Sequence, residues 1–479
     1  MIMTRLETKD IQGLVLWGYG NKKAGGFLLV EFTNKQRSRH WLKELQPEIM
    51  DAGENSGADV HLNLALTYAG LKFLDLPAET LDGFSREFAE GMVTPERSRM
   101  LGDVDDSSPA GWNWGAKFQD AIARTDLSVH AMLMIYAADS AALDRAVGPQ
   151  RMRLEAAGIR ILRQLEEATE LPGRKEHFGF RDGIAQPLIE GANRTGSKFN
   201  TIAAGEIVLG YENGYDKLPG SPHWPDGTDF GRNGSYLVFR QLEQDVPSFW
   251  RFAEQASQNV FGHSDAVLFG SKMVGRWPSG APLVESPDAD APELQDKDDF
   301  GYNQNDALGA RCPFGAHIRR SNPRDWLLGD TPADSMKLSN RHRIIRRGRP
   351  YGNPITPSME PSDMLEAIQS KAKSSGETRG LHFLCMQSSI SRQFEFIQDT
   401  WINNPNFAGL YAEADPVLGR HRTQVPELEE PGFSIPVDPL RLRAKGISRF
   451  VNVRGGAYFF MPGLSSLKRL AKLGDPNSI

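Results

Sequence analysis

Three clusters of residues carry side chains fit for chemistry. The first is Gly179-Phe180-Arg181-Asp182-Gly183-Ile184-Ala185-Gln186-Pro187, where a carboxylate stands between glycines in a stretch closed by a proline. A sharp turn of this kind presents Asp182 as a group that takes up and returns a proton. The plainer reading is an Asx-turn, in which the carboxylate bonds only its own backbone. The second is Arg311-Cys312-Pro313-Phe314-Gly315-Ala316-His317-Ile318-Arg319-Arg320-Ser321-Asn322-Pro323-Arg324. A neutral imidazole among small and apolar residues is a good iron ligand, and nearby cations suit carboxylate groups. The plainer reading is a hydrogen-bonded core histidine beside a solvated basic face. The third, Arg341-His342-Arg343-Ile344-Ile345-Arg346-Arg347-Gly348-Arg349-Pro350-Tyr351-Gly352, holds five arginines within nine residues. On a strand Arg346 and Arg347 point to opposite faces, so that one turns inward while the other meets water. A solvated strand edge is the alternative.

These residues need elements to hold them. Residues 11–19 and 26–32 are β-rich runs separated by a turn, and residues 41–49 form a short helix candidate. Residues 62–74 read as a strand followed by a helix. Residues 129–136 read as a strand. Residues 140–157 read as a helix with Leu143, Val147 and Leu154 on one side, and residues 159–167 as another strand. Residues 188–232 are rich in glycine and proline and mark the best boundary between domains. Strands follow at residues 235–240, 383–386 and 450–461. Leu464, Leu467, Leu470 and Ala471 shape a closing amphipathic helix, and the acidic residues 287–306 read as a solvated loop. Strands and helices alternate without strict βα repetition, which predicts an α+β fold with antiparallel sheets.

Composition narrows the function. The chain has 479 residues, with 55 Lys and Arg against 61 Asp and Glu, a net charge of −6. A globally basic nucleic-acid surface does not fit that balance. Only Cys312 and Cys385 occur, so a disulfide framework is excluded and a reducing compartment is the natural reading. Each sits in an apolar setting, which disfavours a thiol enzyme. The glycines near residues 18–26 do not form G-x-G-x-x-G. The longest nearly apolar run, residues 129–138, is too short to span a bilayer. Residues 1–10 are charged and lack the apolar core of a secretory signal, which predicts a cytoplasmic protein.

Taken together, the three clusters resemble the dye-decolourising peroxidase family of haem enzymes. Gly179-Phe180-Arg181-Asp182-Gly183 is similar to its G-x-x-D-G signature. The run from Cys312-Pro313 through His317 to Asn322-Pro323-Arg324 is similar to its proximal-histidine segment. Arg346 with Pro350-Tyr351-Gly352 is similar to its distal-arginine segment. Further likeness runs through Ser235-Tyr236-Leu237-Val238-Phe239-Arg240, Gly275-Arg276-Trp277-Pro278 and Gly455-Gly456-Ala457-Tyr458-Phe459-Phe460, and covers the chain from about residue 10 to 473. The length and large insertions resemble the C/D-type subgroup.

The resemblance implies two ferredoxin-like modules with antiparallel sheets and peripheral helices, of the dimeric α+β barrel type. Residues 1–205 would end in the G-x-x-D-G loop, and residues 206–479 would bind haem b. It implies His317 as proximal ligand to the iron, and Asp182 and Arg346 as the groups acting on hydrogen peroxide. Arg324 is the implied partner of a haem propionate. Asp415, in Ala414-Asp415-Pro416-Val417, is the first candidate to accept the other ring N–H of His317. Glu395 and Asp399 are alternatives that spacing does not separate. Leu381 and Phe383, two apart on a strand, would wall the pocket or be plain core. Tyr351 and Trp401 are candidate surface relays for electrons from a bulky donor, or buried structural aromatics. The implied reductants are aromatic dyes or phenolics, used at acidic pH. No nucleic acid or membrane is implied, and monomer and dimer remain open. A haem-handling protein without catalysis would need His317 but not Asp182 and Arg346 together.

Overall fold

The computed structural model describes residues 5–53, 57–116, 128–192, 200–370, 377–421, 430–437 and 440–474. In the first part of the chain, β1 (Ala24–Glu31), β2 (Val60–Leu66), β3 (Ala131–Ala137), β4 (Arg160–Gln164) and β5 (Ala168–Thr169) form antiparallel pairs. A short parallel pair, β6 (Leu188–Ile189) and β7 (Thr201–Ile202), lies in the glycine- and proline-rich stretch. Within that stretch, residues 193–199, with Gly196, lie outside the described residues. Then come β8 (Ser235–Gln244), β9 (Ile345–Arg346), β10 (Arg349–Tyr351), β11 (Gly380–Gln387), the hairpin β12 (Gly432–Val437) and β13 (Leu440–Lys445), and β14 (Val451–Met461).

The strand order β10-β5-β1-β3-β2-β14-β8-β11 returns to β10, which also pairs with β11, so the sheet closes on itself. Closure removes open edges. At each seam between the first and second parts of the chain one residue pair makes the join: Leu66 with Phe460, and Ala168 with Tyr351. Strands β1, β2, β3 and β8 are buried on both faces, which explains their nearly continuous apolar runs. One face, with Phe27, Met132, Met134, Leu237, Phe239, Leu384 and Phe459, fills the inside of the closed sheet. The other, with Leu28, Val30, Leu64, Leu133, Ile135 and Val238, lies under the helices.

Those helices start where short polar side chains satisfy free N–H groups. Asn34 accepts the N–H of Arg37, Asp139 that of Ala142, Asp245 that of Ser248 and Asp265 that of Leu268. They open Lys35–Leu45, Ser140–Ala156, Val246–Phe261 and Ala266–Val274. Leu143, Val147 and Leu154 are buried, as their spacing predicts.

Two expectations are corrected. Residues 11–19 are not a strand: Gly13–Leu16 is a turn of helix with all four residues buried. An apolar run enclosed on every side carries no periodicity to separate the two. Gln12 takes the place of strand pairing, its side chain donating to the carbonyls of Leu64 and Pro462 at 2.9 and 3.1 Å. Nor is the acidic stretch simply solvated. Asp298 and Asp306 are buried, Asp298 between Arg276 and Arg324 and Asp306 against Arg319. These carboxylates offset the cost of placing the guanidinium groups of Arg276, Arg324 and Arg319 in the interior.

Candidate active site

Strand β9 pairs Arg346 with Cys385 of β11, which aims Arg346 into a cavity between the sheet and the helices. Its Nη1 donates to Asp182 Oδ1 at 2.9 Å, and its backbone N–H donates to Gln186 Oε1 at 3.0 Å. Asp182 also accepts the N–H of the adjacent Gly183 at 2.6 Å, one residue short of an Asx-turn, so the carboxylate bonds its own backbone and still faces Arg346. Burial works to raise the pKa of Asp182, but the Arg346 charge and the Gly183 N–H outweigh it and hold the group below its ordinary 3.8. Arg347, in contrast to the expectation, does not meet water. It is 9% exposed and donates to the carbonyls of Leu14 and Val15, which end the helical turn described above. Arg343 and Arg349 are likewise turned onto backbone carbonyls of Ala185 and Tyr19. The arginine run is therefore folded inward rather than spread as a basic face.

His317 opens the short helix His317–Ser321 and lines the same cavity. Its Nδ1 lies 2.9 Å from Asp415 Oδ2. Asp415 is fully buried, and its other oxygen accepts the N–H groups of Val417 and Leu418 at 2.9 and 2.8 Å. Burial opposes both charges, but mutual attraction wins: the pKa of His317 rises and that of Asp415 falls. The geometry thus selects Asp415 among the three candidate carboxylates. Glu395 instead binds Arg97 and the hydroxyl of Tyr458, at 2.9 and 2.8 Å.

The arginines after His317 are not a solvated face, which corrects that reading. Arg319 is fully buried, bonded to Asp306 and enclosed by the rings of Tyr302, Phe314 and Trp326 at 4.0–4.8 Å. Arg320, also fully buried, donates to the carbonyls of Trp401 and Asn404 at 2.7 and 3.0 Å and to that of Glu413. It therefore ties the histidine helix to the segment that ends in Asp415. Replacing Asp415 by alanine would remove the acceptor that orients the imidazole.

Leu381 and Phe383 line the cavity from β11, as their two-residue spacing predicts. With Phe394, Ile397, Val417 and Leu418 they form an apolar slot. Arg343, Arg346 and Asn322 also line the cavity, and both side-chain polar atoms of Asn322 are buried without a hydrogen bond. Arg324 also reaches the cavity, but it is 3% exposed and bonded to Asp298 and to the carbonyl of Phe300. Phe394, Ile397 and Asn322 escaped sequence reasoning. Phe394 and Ile397 come from π-helical turns, Ser391–Glu395 and Ile397–Ile402, whose registers leave no periodic signal.

Tyr351 and Trp401 are not on the surface. Tyr351 is fully buried, its ring stacked on His382 at 4.5 Å, and Trp401 is 3% exposed. Both cysteines are buried free thiols, and burial pushes the Cys312 pKa up to about 12.

No protein-family model matched the chain. It is 30% identical to a dye-decolorizing peroxidase of Exidia glandulosa over 97% of its own length and 87% of that protein. It is 30% identical to a dye-decolorizing peroxidase of Auricularia auricula-judae over the same shares. The fold superposes on a crystal structure of a fungal DyP-type peroxidase from Auricularia auricula-judae with a TM-score of 0.79, at 28% identity. That match covers 98% of this chain and all of the other. A DyP-type peroxidase from Anabaena gives a TM-score of 0.76 at 27% identity, over 97% and 94%. With near-complete coverage in sequence and in structure, and an acid–arginine pair and an aspartate-anchored histidine opening onto one cavity, the chain belongs to the dye-decolourising peroxidase family.

Proposed function

We propose that the chain is a haem-dependent peroxidase that reduces hydrogen peroxide and oxidises bulky aromatic donors, dyes or phenolics, in one-electron steps. The observation that carries this reading is the Asp182–Arg346 pair set in the same cavity as His317. The donor set fits haem b. His317 has Nδ1 engaged by Asp415, which leaves Nε2 for iron. The apolar slot suits a porphyrin ring, and Arg343 with the unpartnered amide of Asn322 suits its propionates. Arg324, largely committed to Asp298, is the weaker of the proposed propionate partners. When bound, haem supplies the redox chemistry that splits the peroxide bond.

The protein supplies proton movement, charge and exclusion. Asp182 takes a proton from one peroxide oxygen and returns it to the departing oxygen. Arg346 keeps its positive charge throughout and stabilises the negative charge that develops on that oxygen. Leu381 and Phe383 add apolar wall to the cavity that holds Asp182 and Arg346, which favours a small oxidant there.

An absorption spectrum of hemin-loaded protein before and after one equivalent of peroxide tests the reading. A shift of the main band, reversed by a dye that loses its colour, is expected. Hemin binding with no response to peroxide would favour a haem-handling protein, the reading that leaves Asp182 and Arg346 without a task.

A further inference from the structure

Glu176 is a cavity-lining carboxylate that the peroxide chemistry leaves unused. It begins the turn that delivers Asp182. Its Oε2 accepts the N–H of Phe178 at 2.9 Å, and its Oε1 accepts that of Phe180 at 3.1 Å. Its own N–H donates to the Phe180 carbonyl at 2.9 Å, and the N–H of Gly179 returns to the Glu176 carbonyl at 2.8 Å. Gly179 sits in the turn at φ 93°, in the left-handed region that favours glycine. One carboxylate therefore grips two alternate N–H groups of the segment running into Asp182.

The third donor is the side chain of Gln244 at the end of β8. Its Nε2 donates to Glu176 Oε2 at 2.6 Å, while its Oε1 is buried without a hydrogen bond. No cation bonds Glu176 among the described residues. Lys175 and His177 flank it in the chain but turn away, Lys175 to Glu360 and the Met359 carbonyl, His177 to the Tyr351 carbonyl. Arg379, opposite the end of β8, is bonded to the Asn353 carbonyl and Glu377. The charge that acts on Glu176 is that of Asp182, like in sign, and Phe178, Phe180, Leu242 and Val451 share the cavity lining with it.

We propose that Glu176 and Gln244 form a proton-holding clamp that positions Asp182. Charged, Glu176 holds the turn through both oxygens. Protonated, Glu176 is a weaker acceptor, and the grip on the backbone N–H beside the new O–H loosens. The proton comes from solvent through the cavity, and no other bond changes. Burial pushes the pKa of Glu176 up to about 7 against the pull of its three donors, so the two states exchange around neutral pH. Glu176 is a positioning residue; Asp182 remains the group that meets peroxide.

The inference rests on the peroxidase reading, and two measurements separate their fates. Stopped-flow mixing of hemin-loaded protein with peroxide is expected to show a rate inflection near pH 7, about threefold in size, that Glu176→Gln abolishes. Gln244→Leu removes one donor from the carboxylate and moves the midpoint upward. Infrared difference spectra of the protein without peroxide should show a carboxylic-acid band titrating at the same midpoint, absent from Glu176→Gln. A band that survives that substitution, a profile without inflection, or a midpoint unmoved by Gln244→Leu overturns the clamp. Absence of any reaction with peroxide, with the titrating band present, overturns the peroxidase reading and leaves the proton-holding pair in place.

Discussion

Asp182→Asn lowers the rate constant for reaction with hydrogen peroxide about 10²–10⁴-fold, the range for loss of a positioned general base. The substitution is nearly isosteric. The amide oxygen still accepts from Arg346 and Gly183, so the turn keeps its shape and hemin affinity stays unchanged. What disappears is the site for a proton. The pH dependence follows from the sign of the shift. Asp182 is held below its ordinary 3.8, so its ion pair with Arg346 is complete above that value and is lost only as pH falls through the lower, folded pKa. The base is therefore available in mildly acidic solution, where most carboxylates have begun to protonate, and the Asp182 limb of the rate profile falls below pH 3.8. Rapid mixing with peroxide across this range decides the matter: an asparagine variant as fast as the parent would remove Asp182 from the mechanism.

The second large effect concerns stability. Asp298→Ala is expected to destabilise the fold by about 3–5 kcal/mol, the cost of leaving a buried charge unpaired. Asp298 accepts from Arg276 at 3.0 Å, from Arg324, and from Asn200 at 2.6 Å. Arg276 and Arg324 are 4% and 3% exposed, so water cannot replace the lost partner without opening the site wall. Burial already pulls the Arg276 pKa down to about 10, a sign of how poorly that position solvates a cation. Urea denaturation followed by tryptophan fluorescence measures the effect. A midpoint equal to that of the parent would mean that the carbonyls already bonded to the two arginines suffice to hold their charges.

What the sequence made legible follows from the range over which each signal acts. Asp182 was visible because glycines and a proline bracket it within nine residues. The central strands were visible because their side chains are buried on both faces, and the helix Ser140–Ala156 because Leu143, Val147 and Leu154 share a side; Val246–Phe261 and Ala266–Val274 were not read from the sequence. Asp415 was one of three plausible carboxylates, since its bond to His317 spans 98 residues and leaves no local trace. Arg319 and Arg320 looked like a wet surface because charge alone does not reveal an aromatic box or a set of waiting carbonyls. The acidic stretch misled for the complementary reason: Asp298 and Asp306 answer arginines distant in the chain. The helical turn at Gly13–Leu16 was hidden because uniform burial erases periodicity.

The single-residue seams at Leu66–Phe460 and Ala168–Tyr351 have a mechanical meaning. Backbone hydrogen bonding welds the two halves of the ring only at points. Their cohesion comes instead from the interlocked apolar filling they share, with Phe27 and Met134 from one half meshed with Phe239 and Phe459 from the other. Each half is a stiff panel, and a shear load between them falls on the stuffing rather than on the edges.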